Sequence, residues 1–119
     1  MPPSLTSIEL EALAQFAHLE IRLEDLMERL GGKLTVHIER WRREVSCTFT
    51  LPDPGIRIQL SDIHKAIQRE SSGLLREKDL GDWAAMILMI DAYDWRGSPD
   101  EDRIAEELNE LAILPQRHP

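Results

Sequence analysis

The chain has 119 residues, 14 Lys+Arg against 22 Asp+Glu, a net charge of −8 and one cysteine. That length makes a single domain, residues 1–119, able to bury a core without a metal or disulfide staple. One Cys excludes an intramolecular disulfide framework and a Cys-rich zinc site and suits a reducing cytoplasm, while the acid excess excludes the basic footprint that nucleic-acid phosphates require.

With 42% hydrophobic residues, the acidity is not a signature of disorder. The segment Met1-Pro2-Pro3-Ser4 has neither a basic nor an apolar leader pattern, so no signal peptide is expected. The longest apolar run, Trp83 to Ile90, falls well short of the roughly 20 residues that span a bilayer. The expectation is a soluble, cytoplasmic chain with no membrane partner.

Taken in order, Thr6 and Glu9 have capping-box spacing, with Leu5 and Leu10 placed as a hydrophobic staple. Leu10, Leu13, Phe16 and Ala17 follow the helical period, which predicts a helix from Ser7 to Ala17 or His18. Leu23, Leu26, Met27 and Leu30 predict a second, shorter helix stopped by Gly31-Gly32. The period then changes to 2. Leu34, Val36 and Ile38 alternate with polar residues, as do Val45, Cys47, Phe49 and Leu51. These two strands turn within Trp41-Arg42-Arg43-Glu44. Pro52-Asp53-Pro54-Gly55 is a second turn, and Ile56, Ile58 and Leu60 make a third strand.

Ser61-Asp62 opens a helix to Arg69 or Glu70, broken by Ser71-Ser72-Gly73. The next helix runs from Glu77 to Tyr93 and is apolar all round between Trp83 and Ile90, the mark of a central buried helix. Ser98-Pro99-Asp100-Glu101 starts the last helix, with Ile104, Leu108, Leu111 and Ala112 inward and Pro115 ending it. The expected class is α+β: a three-stranded antiparallel meander with about five helices packed mainly on one face. A shift of 54 positions aligns Ser7, Ala12, Arg22, Asp25 and Leu26 with Ser61, Ala66, Arg76, Asp79 and Leu80. That similarity fits either two amphipathic helix pairs of like composition or a duplicated helical hairpin flanking the sheet.

No residue pattern announces catalysis. The carboxylates from Asp91 to Asp102 do not fit a calcium loop, because starts at Asp91 and at Asp94 both put unsuitable residues at the third and sixth positions. His18, His37, His64 and His118 have no metal-pair spacing. Strand parity puts Cys47 on the core face and His37 on the opposite face, so they cannot act as nucleophile and base. There is no glycine-rich phosphate loop and no serine elbow. The expectation is a non-enzyme with no catalytic residue, no cofactor and no metal.

Two spots have the character of a protein interface. Trp41 stands in the one basic cluster, Arg40-Trp41-Arg42-Arg43, on a projecting turn of the kind that anchors partners. Tyr93 and Trp95 flank Asp94 and either complete the core, the usual place of aromatics, or, ringed by Asp91, Asp94, Asp100 and Asp102, offer Trp95 as a second aromatic anchor. Glu106, Glu107 and Glu110 extend that acidic face, and no Lys lies between Asp79 and the C-terminus. These residues would meet a basic partner.

The stretch from residue 60 to 112 resembles small acidic bacterial immunity proteins, which neutralise partner toxins. The residues that carry the likeness are Leu60-Ser61-Asp62-Ile63, Gly73-Leu74-Leu75, Asp79-Leu80-Gly81-Asp82-Trp83-Ala84 and Glu107-Leu108-Asn109-Glu110-Leu111-Ala112. The resemblance implies a protein-binding inhibitor that occludes a toxin or another basic surface, and it transfers no site residue. Asp91, Asp94, Trp95, Asp100, Asp102, Glu106 and Trp41 are the candidate contacts, chosen on charge and aromatic character. The alternative is an adaptor or assembly module that dimerises through its sheet edge or exposed sheet face.

Overall fold

The computed structural model describes residues 2–40 and 42–117. Helix α1, Ser7–Ala17, begins at the expected capping box: Glu9 N–H donates to Thr6 Oγ1 at 3.1 Å and Thr6 N–H to Glu9 Oε1 at 2.9 Å. Its period buries Ala12, Leu13, Phe16 and Ala17. Helix α2, Leu23–Leu30, opens where Arg22 N–H donates to Asp25 Oδ2 and ends at Gly31, whose φ of +56° suits glycine.

Strands β1, Leu34–Glu39, and β2, Arg42–Cys47, form an antiparallel hairpin in the register Leu34↔Cys47, Val36↔Val45 and Glu39↔Arg42. The turn is therefore tighter than the expected four residues. Only positions 40 and 41 lie between the paired ends, and Arg40 takes a φ of +54°. Arg43 thus belongs to a strand, on the same side as Val45 and Cys47. The other side carries Thr35, His37, Glu39, Arg42, Glu44 and Ser46, all exposed.

The expected third strand of a meander does not form. Ile56–Arg57, β3, pairs in parallel with Tyr93–Asp94, β4, so the described residues form two two-stranded sheets and no three-stranded one. Ile56 N–H donates to Ala92 O at 2.8 Å and Ile58 N–H to Asp94 O at 3.0 Å. Gly55 permits this approach, since a Cβ there would lie 3.0 Å from Ala92 O. Beyond Ile58 the chain turns helical, because Asp62 Oδ2 accepts Gln59 N–H at 2.8 Å and draws Leu60 into the next helix.

Helix α3 is Leu60–Ser71 and α4 is Glu77–Met89. Helix α4 ends four residues before the expected Tyr93, since Ile90 leaves helical geometry with ψ of 106° and a turn delivers Tyr93 to β4. As expected, α4 is central: Leu80 through Ile87 is an unbroken buried run packed against α5 and α3. Helix α5, Glu101–Arg117, buries Ile104, Leu108, Leu111 and Ala112. It starts three residues after Ser98 and continues past Pro115, the expected terminator.

The halves of the chain are joined at the carboxyl end of α1, which has no basic residue of its own. Trp83 Nε1–H donates to Phe16 O at 3.1 Å and Tyr93 Oη–H to Leu13 O at 2.6 Å. Lys65 and Arg69 of α3 donate to His18 O and Leu19 O, each at 2.8 Å. Cations from a neighbouring helix thus satisfy carbonyls at the negative end of the α1 dipole.

Burial, and secondarily the nearby Cys47 thiol, pushes the Tyr93 phenol well above its ordinary range. A raised folded value means the contribution to stability is whole below the unfolded value of about 10 and is lost as pH rises beyond it. Tyr93 is the chain's only tyrosine. Tyrosinate absorbance should therefore appear together with loss of the helical circular dichroism signal. Ionisation near pH 10 in a fully helical chain would contradict the burial.

Candidate functional site

Of the predicted contact residues, three come together at the start of α5. Asp100, Asp102 and Glu106 are exposed. Helical geometry places Asp102, Glu106 and Glu110 in one row, each four residues from the next, and the exposed Asn109 and Ile113 continue that face. None of the three acids has an ion-pair partner among the described residues. Glu107, by contrast, is half-buried and turned toward α3, with His64 Nε2 at 3.9 Å and Arg103 Nε at 3.5 Å.

The other candidates stand apart from that row. Asp94 is already neutralised: Arg96 Nε is 3.0 Å and Arg57 Nη1 3.9 Å away. The Arg96 backbone N–H, then its guanidinium, holds the Asp94 carboxyl below the usual range. Trp95 is half-buried against the core. Asp91 is exposed and close enough to Cys47 for its charge, after burial, to help raise that thiol. Trp41 lies outside the described residues. Cys47 faces inward while His37 is exposed on the opposite face, as parity requires.

One buried polar cluster escaped the sequence reading. Arg43 Nε donates to Asp82 Oδ1 at 2.8 Å and Arg43 Nη1 to Ala112 O at 3.0 Å, while Lys78 Nζ donates to Asp82 Oδ2 at 2.8 Å. The Arg43 side chain is 7% exposed. This cluster ties the hairpin to α4 and α5. The sequence signal was present in the alternation Arg43, Val45, Cys47, which continues two residues earlier than the predicted strand.

Among the described residues no group of three His, Cys, Asp or Glu side chains is placed to hold a metal ion. No described helix is long and apolar enough to cross a membrane. No family model, curated protein or solved structure matches the chain.

Proposed function

We propose that the chain is a protein-binding inhibitor of the immunity type, which lays the outer face of α5 over a basic surface of its partner. The observation that carries this is the unpaired row Asp102, Glu106 and Glu110. Like charges four residues apart cost a helix about 0.2–0.5 kcal/mol per pair. Nothing described in the fold offsets that cost for Glu106 and Glu110, whereas Asp82, Asp94 and Glu9 all have cationic partners. Exposed acids of one sign raise association rate and select basic partners. The residues that carry the immunity-protein likeness fit this division of labour: Asp62 caps α3, and Trp83, Ala84, Leu108, Leu111 and Ala112 are buried. These hold the face in place, while Glu110, which belongs to the same likeness, is exposed and stands in the row itself.

The test compares affinity capture from the source cell by the wild-type chain and by the triple variant Asp102→Lys, Glu106→Lys, Glu110→Lys. The expected result is a basic protein captured in stoichiometric amount by the wild type and lost from the variant, with association slowed at least tenfold and thermal stability nearly unchanged. Capture of the same protein by both chains at equal rates would sink the proposal. A second reading, assembly through the hairpin, is favoured by one observation: Val36, Ile38, Val45 and Cys47 make no backbone hydrogen bond outside the hairpin among the described residues, so both strand edges stand open.

A further inference from the structure

The two helix pairs end their first helices identically. In the first, the N–H groups of His18, Leu19 and Glu20 donate to the carbonyls of Ala14, Phe16 and Gln15; in the second, those of Ser72, Gly73 and Leu74 donate to Gln68, Glu70 and Arg69. Each bond has its counterpart 54 positions on, and the left-handed residue is Leu19 (φ +63°) in one copy and Gly73 (φ +77°) in the other. Both connections line one groove of about 880 Å³, floored by Phe16, Ile38 and Trp83. That volume accommodates several side chains.

Equivalent positions on the two walls differ in chemistry. Glu24 on the first corresponds to Lys78 on the second, and Glu20 to Leu74. The first wall carries Glu20, Glu24 and Asp25 against Arg22. The second carries Arg69, Arg76 and Lys78 against Asp79 and Asp82. Within the second wall Arg76 pairs with Asp79 at 2.9 Å and Lys78 with Asp82 at 2.8 Å, so three cations against two acids leave it a net charge of +1, while three acids against one cation leave the first wall −2. Leu74 is fixed by its bond to Arg69 O yet 78% exposed. A hydrophobic residue at this capping position ordinarily packs on the residue five before it, but here that residue is Arg69, so the cap does not explain a leucine.

We propose that this groove is where a second copy of the chain docks, with a two-fold axis running along the groove. Such an axis sets the acidic wall of one copy against the basic wall of the other, twice over, and lays each exposed Leu74, which stands on the basic wall, over the partner's first connection, where the partly buried Leu19 and Ile21 line the groove. An interface of this kind must be complementary to itself, and two walls of opposite net charge with a protruding leucine meet that condition. The groove shares no residue with the acidic row of α5, so it is independent of the partner-binding role.

The test is sedimentation or light scattering across a concentration series. The wild type should show a concentration-dependent dimer. Leu74→Asp should weaken self-association at least tenfold with an unchanged thermal midpoint, since the residue is 78% exposed. Glu24→Arg and Arg76→Glu, side chains at the groove rim, should each be largely monomeric alone. Mixed in equal amounts, they should form a heterodimer, because both wall-to-wall pairings are then restored. A strict monomer at the highest soluble concentration overturns the proposal. So does failure of the mixture to reconstitute, and so does a dimer that survives Leu74→Asp, which would form through another surface such as the hairpin edge.

Discussion

Met86→Asp is expected to leave the chain unfolded at 25 °C. Met86 is fully buried in α4, in the unbroken buried run Leu80 to Ile87, where Ala84 and Ile87 are also fully buried. The substitution removes a large apolar side chain and places a carboxylate where water cannot reach it. Burying an unpaired polar group costs several kcal/mol and an ionised one more, against a total stability of about 5–15 kcal/mol for a domain of this kind. The core passes through this helix, because α4 packs on α5, α3 and β2 alike, so there is no subdomain left to remain folded. Loss of helical circular dichroism at neutral pH is the expected reading. A thermal midpoint equal to wild type would remove α4 from the centre of the core.

That result rests on a feature legible without a structure. A run with no polar face has to be surrounded, and of Trp83 to Ile90 all but Leu88, half-buried, and Met89, exposed, is buried. The first two helices were legible as well, because capping and period are local: Thr6 and Glu9 bond as their spacing implies. The meander was not. Ile56 and Ile58 alternate like strand residues, but what they pair with is set by Ala92 and Asp94, far along the chain. A two-residue parallel pair leaves no periodic trace. The hairpin turn also gave little sign of itself, since its loop contains neither Gly nor Asn and Arg40 adopts a positive φ that arginine rarely takes.

The acidic surface was half legible. Spacing alone sets Glu106 and Glu110 on one face of a helix. It cannot show that Arg57 and Arg96 would converge on Asp94 or that Glu107 would turn toward His64. Pairing of charges across elements is a tertiary fact. The count of acids in a segment therefore overstates the charge left for a partner, and the structure reduces the candidate face to one row on α5. The groove shows the same limit from the other side: the 54-position likeness of Arg22 and Asp25 to Arg76 and Asp79 is visible in the sequence, but not that both connections line one groove.

The second large effect is expected at the buried cluster that composition hid. Asp82→Ala should cost about 3–5 kcal/mol, the range for breaking a buried ion pair by removing one partner. The Arg43 side chain is 7% exposed and that of Asp82 12%, so solvent screens the pair weakly. Without Asp82 the guanidinium keeps only the Ala112 carbonyl, and its Nη2 already has no partner among the described residues. Arg43→Met alone is expected to cost less, because Lys78, half exposed, still neutralises Asp82. The double variant Arg43→Met, Asp82→Leu should recover most of the loss and can exceed wild type, since it removes the desolvation cost of both charges and the unpartnered nitrogen together. Urea unfolding of the wild type, Asp82→Leu, Arg43→Met and the double variant gives the cycle, with Asp82→Ala measured beside it. Additive losses, with the double variant weaker than Asp82→Ala, would mean that the two residues act separately and that the hairpin is not tied to α4 through this pair.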